Sequence, residues 1–324
     1  MRGGSDPVYV MPVDGEDDAQ QPLRSRMCRA SFDLDTHNAC CRRSFMGQGY
    51  KGKILGCLGI IILLVIGILT LTVDHQRSQY PVKFLVVGDW GRRGQYNQSH
   101  VAAMMGLKAS LVDPDFIVSV GDNFYPSGLS SPSDEAFSKS FSDAYSAKSL
   151  QVPWYAILGN HDYGDKCFDE QPGCYPTGDL YYSPNHQMHM NLAERDWRWN
   201  CDRSFHMRLA GGDVDLFFID TSPFVQKYYS TPWANFTGGL TEQSWQRQLA
   251  QLEVNLMTSR AKWKVVFGHH PPRSNGHHNN TVELIQHVEP LLQVAGVQAY
   301  FAGHDHNLEH IHVPGRTPHY IHQE

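Results

Sequence analysis

Five short apolar runs in this chain each break at a glycine that is followed at once by side chains able to bind metal. They read Phe84-Leu-Val-Val-Gly-Asp89, Phe116-Ile-Val-Ser-Val-Gly-Asp122-Asn-Phe-Tyr125, Trp154-Tyr-Ala-Ile-Leu-Gly-Asn160-His161-Asp162, Lys264-Val-Val-Phe-Gly-His269-His270 and Tyr300-Phe-Ala-Gly-His304-Asp305-His306. Short apolar runs bounded by glycine predict buried strands. Where helices separate the strands of a sheet, ligands bind just outside the strand carboxyl ends. The five ends therefore converge on one rim and bring Asp89, Asp122, Tyr125, Asn160, His269, His304 and His306 to it. That is too many hard and borderline ligands for one divalent ion and suits two ions sharing a carboxylate.

Each motif carries its own chemistry. A carboxylate such as Asp122 can bridge two cations, and Tyr125, three residues on, reaches one of them as a phenolate. A phenolate is hard and anionic, so it favours Fe(III) over Zn or Mg. Asn160 supplies an amide oxygen, an unusual ligand for a transition metal. His269 and the His304-x-His306 pair supply imidazoles, and a His-x-His pair in a strand puts both rings on one face. Asp89 alone reads equally as a turn residue; the weight lies in the five motifs together.

The ordered set GDWG, GDNFY, GNHD, GHH and GHDHN resembles the purple acid phosphatases, within the calcineurin-like metallophosphoesterases. The resemblance covers about residues 82–312. Gly88-Asp-Trp-Gly-Arg-Arg-Gly94 and Phe217-Phe-Ile-Asp-Thr-Ser-Pro-Phe224 look most like the small plant-type and tartrate-resistant members. The resemblance implies an α/β (α+β) fold, a four-layer sandwich of two mixed β-sheets flanked by helices. It implies an Fe(III) site of Asp89, Asp122, Tyr125 and His306, and a divalent site (Zn, Mn or Fe(II)) of Asp122, Asn160, His269 and His304, bridged by Asp122. It implies hydrolysis of phosphate monoesters through attack of a metal-bound hydroxide. His161 and His278 match histidines that hold phosphate and assist the leaving group, although His277 stands beside His278. Two competing readings are a phosphodiesterase or nucleotide pyrophosphatase on the same scaffold, and a membrane-tethered protein without catalysis.

The chain has 324 residues, is 41% hydrophobic and carries net charge −6. It offers no basic stripe for nucleic acid. Ile54 to Val73 is uncharged over about 20 residues, the length that spans a bilayer as a helix. Arg42, Arg43, Lys51 and Lys53 precede it and only Arg77 and Lys83 follow closely. This bias predicts a single-pass type II membrane protein with a disordered cytoplasmic tail (1–53), a signal anchor (54–73), a linker (74–80) and a lumenal or extracellular catalytic domain (81–324). A cleaved signal peptide is the alternative, but the run is long for one and starts some 50 residues in. On the lumenal side, Asn97, Asn235 and Asn279 head glycosylation sequons. Cys167 and Cys174 could there close a short disulfide loop. Cys40, Cys41 and Cys57, near the inner membrane face, are palmitoylation candidates or plain thiols.

Helices are expected at Gln98–Leu111, Ser133–Tyr145 (capped by Ser133), Glu242–Leu256 and Val282–Val294, and a hairpin at Ser204–Leu209 and Val214–Asp220. Tyr163–Asn200 reads as a surface excursion. The family's second sheet continues beyond the last motif, so the C-terminal strands are expected to be truncated, with an exposed edge near His319–His322. The 18 His crowd the C-terminal quarter, which is by itself a weak metal signal.

Overall fold

A computed structural model describes residues 10–12, 81–166, 178–315 and 317–323. Its strands, in chain order, are β1 (Val10–Pro12), β2 (Phe84–Val87), β3 (Phe116–Ser119), β4 (Trp154–Ala156), β5 (Asp165–Lys166), β6 (Asp179–Leu180), β7 (Trp199–Cys201), β8 (Phe205–Leu209), β9 (Val214–Phe218), β10 (Trp263–Phe267), β11 (Ala299–Ala302), β12 (Glu309–Ile311) and β13 (His319–His322). Two sheets carry the fold, ordered β2-β3-β4-β7 and β1-β8-β9-β10-β11-β13-β12, and β5-β6 is a small separate hairpin. The second sheet is mixed. The first is entirely parallel rather than mixed, because each of its strands is reached by a crossover and none by a tight turn.

Strand alternation sets the four layers. On β2 and β3, Phe84, Val86, Phe116 and Val118 face a core shared with Phe205, Met207, Leu216, Phe218 and Phe267 of the other sheet. Their neighbours Leu85, Val87 and Ile117 face the opposite way, into an aromatic cluster of Trp90, Phe124, Phe137, Phe141, Tyr145, Trp154 and Trp199. On the outer side of the larger sheet, Phe217, Val266, Tyr300 and Ala302 meet Leu252, Leu256, Leu284 and Leu292 of the helices. The period of two lets each strand bury both faces. The four-layer expectation holds.

Several elements differ from the reading of the sequence. The helix expected at Ser133–Tyr145 is a short turn, Glu135–Phe137, capped by Asp134 and not Ser133, which widens into a π turn at Ser138–Ser142. Its Ser140 carbonyl accepts from Gln98 Nε2 at 2.7 Å, a partner from outside the helix. Val282–Val294 is two helices, Val282–His287 and Glu289–Val294. Pro290 lacks the N–H that would continue the ladder, so the chain restarts there. The stretch read as a surface excursion ends in the core: Leu192 and Trp199 are buried, and β7 is the fourth strand of the parallel sheet. Arg198 and Asp196 disguise it, yet Arg198 is buried, paired with Asp196 and donating to the Tyr145 carbonyl.

At the other end, β13 is not an exposed edge. It lies between β11 and β12, with Tyr320 and His322 buried. Val10–Pro12, inside the segment expected to be a disordered cytoplasmic tail (1–53), pairs antiparallel with Phe205–Met207. The helix Gln98–Val112, the helix Trp245–Thr258 and the β8–β9 hairpin stand close to where they were expected. No helix among the described residues is long and apolar enough to cross a membrane. The span expected at 54–73, and Cys167 and Cys174, lie outside the described residues.

Candidate metal centre

The five glycine breaks come from both sheets. β2, β3 and β4 end on one side and β10 and β11 on the other, and the loops leaving them meet. In this seam Tyr125 Oη lies 3.2 Å from Asp89 Oδ1, 3.0 Å from Asp122 Oδ2 and 2.9 Å from His306 Nε2. His306 Nε2 stands 3.3 Å from Asp89 Oδ1. Beyond Asp122, His269 Nε2 lies 3.4 Å from the same Oδ2 and 3.2 Å from Asn160 Oδ1. The His304 ring packs 5.1 Å from that of His269.

The backbone at these positions is unusual. Asp89, Asp122, His304 and His306 all have left-handed φ, between 49° and 74°. Non-glycine residues adopt that region at a cost, and such strain gathers at functional sites. It also corrects the reading of the His-x-His pair. His304 and His306 follow β11 rather than lie in a strand, and the turn sends them to different clusters, His306 with Asp89 and Asp122, His304 with His269 and His270. Glycine is needed where loops touch. A Cβ on Gly159 would overlap the Asp122 carboxylate, and one on Gly303 would overlap that of Asp89.

Neighbouring groups fix the donors. His269 Nδ1 faces the Val120 carbonyl at 2.9 Å, which holds a proton there and leaves Nε2, turned to Asp122 and Asn160, as the nitrogen a cation would take. Asp122 Oδ1 accepts from the His161 amide at 2.8 Å. The Asp89 carboxylate accepts from the His304 amide at 3.0 Å. Asp162, buried, accepts from the amides of Gly159, Asn123 and Phe124 and so ties the β4 loop to the β3 loop. Burial and the Asp122 charge push its carboxyl up to about 7.

Charge is concentrated here. Burial works to raise the Asp122 carboxyl, but the His269 and His161 charges hold it well below its ordinary value. For Tyr125, burial and then the Asp122 and Asp89 charges push the phenol well up, with Arg92 opposing. In the metal-free protein that proton therefore sits between the carboxylates, and a cation in its place reverses the balance. Two carboxylates, a phenol and an imidazole suit a hard, highly charged ion; an amide oxygen and two imidazoles beside a carboxylate suit a borderline divalent one. Donors at about 2.1 Å from one ion stand roughly 3 Å from one another, as those of Asp89, Asp122, Tyr125 and His306 do. The residues fit a pair of ions.

His161 and His278 flank the centre. The His161 ring packs against Tyr125 at 4.5 Å, and its Nδ1 lies 2.8 Å from the Pro126 carbonyl and 3.2 Å from Asp165 Oδ2. Burial opposes its charge, but the Asp122 and Asp165 carboxylates raise it to about 9. The His278 ring stacks on His304 at 4.2 Å, while its amide donates to Asp305 Oδ1. Burial lowers its pKa, as do the charges of His277 and Lys227.

Two residues at the centre had no role in the sequence reading. His270 converges with His269 and His304. Both its ring nitrogens are engaged, by Thr221 Oγ1 at 2.8 Å and Tyr228 Oη at 2.9 Å, so it braces the loop. The second His of GHH was its signal, but only the fold supplies those partners. Arg92 holds its guanidinium 3.5 Å over the Tyr125 ring. Its signal was the Arg pair after Asp89.

Comparison with known proteins agrees with this geometry. The calcineurin-like phosphoesterase family matches residues 82–308. Purple acid phosphatase 3 of Arabidopsis thaliana is 47% identical over 71% of this chain and 59% of its own length. Purple acid phosphatase 17 of the same plant is 41% identical over 83% of this chain and 76% of its own length. The chain thus spans less than two thirds of the first of these relatives. A solved structure described as "GAP50 the anchor in the inner membrane complex of Plasmodium" shares the fold, with a TM-score of 0.55 at 24% identity over 74% of this chain and 70% of its own. By its motifs, its two-sheet sandwich, its paired donor sets and these relatives, the chain belongs to the purple acid phosphatases, binuclear-metal members of the calcineurin-like phosphoesterases.

Proposed function

We propose that this chain is an acid phosphatase for phosphate monoesters. Asp89, Asp122, Tyr125 and His306 would hold Fe(III), and Asp122, Asn160, His269 and His304 a divalent Zn, Mn or Fe(II). The observation that carries the proposal is the position of one oxygen. Asp122 Oδ2 is 3.0 Å from Tyr125 Oη and 3.4 Å from His269 Nε2, so a single carboxylate faces both donor sets. When bound, the two ions would neutralise phosphate charge and supply the nucleophile at acidic pH. The rest falls to the protein. Asp122 and Asp162 hold the two loops in register. His161, protonated at acidic and neutral pH, is placed to hold a phosphate oxygen. His278 is placed to give a proton to the departing alkoxide. Intact donor sets favour this reading over a protein without catalysis; a monoester and a bis-ester assayed side by side would separate it from a phosphodiesterase.

The test is colour. A Tyr125 phenolate on Fe(III) gives a visible charge-transfer band, so the oxidised protein should be purple. Tyr125→Phe should bleach it with iron still bound. Iron-loaded wild type without a visible band would refute the Tyr–Fe assignment.

We further propose a type II membrane topology, supported by the uncharged run Ile54 to Val73 and its flanking charges. Asn235 is exposed and should then be glycosylated, with the first 50 residues open to protease from the cytosol. The pairing of Val10–Pro12 with β8 would instead place the tail on the side of the catalytic domain, so a protection assay on sealed vesicles decides between the two. Protease resistance of the N-terminus in sealed vesicles that also protect the catalytic domain would overturn the topology.

A further inference from the structure

Away from this centre, a second group of metal-ligating side chains stands on the hairpin β12–β13. The strands pair antiparallel, His310 opposite Ile321 and Ile311 opposite Tyr320. One more step of that register sets His312 opposite His319. Alternation puts His310 and His312 on one face, with His319 reaching between them. The contacts follow. His310 Nε2 lies 2.9 Å from His319 Nδ1. The His312 and His319 rings stack within 9° of parallel at 4.2 Å. His310 and His312 are exposed and His319 is half-buried.

We propose that His310, His312 and His319 form a third metal site, open to solvent, for a borderline divalent ion such as Zn(II), Cu(II) or Ni(II). Three imidazoles select that class over Mg or Ca, which take oxygen ligands. Glu309 adds no carboxylate, since it points to the other face and is held by His322 and by Asn275. Ligands 2.0–2.1 Å from a tetrahedral ion lie roughly 3.3 Å apart. His310 and His319 reach that by opening a few tenths of an ångström, whereas His312 has to leave its stack on the His319 ring to join them. Burial, and then the charges of His312 and His310, lower the pKa of His319, which keeps it in the neutral, ligating form. The cluster shares no residue with either donor set of the dinuclear centre. A bound ion would clip β12 to β13 beside Glu309, which anchors the loop that carries His278.

The experiment titrates Zn(II) into the full chain with its dinuclear centre already loaded, counting metal by elemental analysis after dialysis. Wild type should retain one equivalent more than the triple variant His310→Ala/His312→Ala/His319→Ala, with equal phosphatase activity. His312→Ala alone should weaken binding of the extra ion at least tenfold. Cu(II) bound to wild type should show coupling to three nitrogens in its electron paramagnetic resonance spectrum, a readout that survives even if the triple variant fails to fold. Equal metal content in wild type and triple variant, full affinity in His312→Ala, or a copper spectrum with fewer than three nitrogens would each overturn the site.

Discussion

A single buried oxygen, Asp122 Oδ2, organises the centre, and the residues around it divide by what they can touch. His161 and His278 both lie within ring contact of proposed ligands, yet their surroundings differ. His161 sits between Asp165, the Pro126 carbonyl and Asp122, which hold its proton. His278 is set by one backbone bond to Asp305, on a loop exposed to solvent. His278→Ala should therefore leave metal content full while kcat falls by a factor on the order of 10²–10⁴, as for loss of a general acid. The fall should shrink for esters with good leaving groups, which need no proton. Loss of metal, or equal impairment across leaving groups, would transfer the role to His161 or His277.

At the scale of elements, the centre depends on loops that approach one another where no side chain fits. Gly159, after β4, lies against Asp122, after β3, with Asp162 accepting amide protons from both loops. Gly159→Ala should push the bridging carboxylate aside. The protein should fold, with overpacking costing about 1–3 kcal/mol. Metal affinity and kcat should both drop, the latter by roughly 10²-fold, the effect of displacing a reacting group by about 1 Å. Wild-type activity in this variant would show that Asp122 tolerates the shift. The elements also show where the sequence misleads. Pro290 marked the break inside Val282–Val294, but hydrophobic spacing ran across it. β7 was hidden because its flanking Asp196 and Arg198 neutralise each other in the interior, and a buried ion pair looks like surface in a sequence.

For the whole molecule, the layers are joined by polar ties as well as by apolar cores. Asp215, fully buried on β9, accepts from Arg208 of β8 at 3.0 Å and from Ser259, after the helix Trp245–Thr258, at 2.6 Å, with His206 Nε2 at 3.3 Å. Burial would raise its carboxyl, but the bonds from His206, Arg208 and Ser259 take it down to about 2. Its folded pKa thus lies below the unfolded value of about 3.9. The stability it contributes is full above that value and is lost as pH falls toward about 2. Asp215→Asn should therefore cost on the order of 1–2 kcal/mol at neutral pH, after discounting for water at the exposed Arg208. The cost should vanish toward pH 2. Melting curves of both proteins across that range test this, and a constant gap would remove Asp215 from the account of acid tolerance.

The sequence by itself determined the five motif strands, the glycine breaks and the donor types, because a buried strand and a metal ligand each demand particular residues at particular spacings. It therefore made the convergence of Asp89, Asp122, Tyr125, Asn160, His269, His304 and His306 readable, and the motifs' resemblance to a family implied the four layers. Only the tertiary structure decided that the five strand ends come from two sheets, and that a left-handed turn parts His304 from His306. It also decided that His270 braces a loop, and that His310, His312 and His319 meet across a hairpin. Each of these depends on contacts between residues far apart in the chain or on the turn between them, and local spacing carries no record of either.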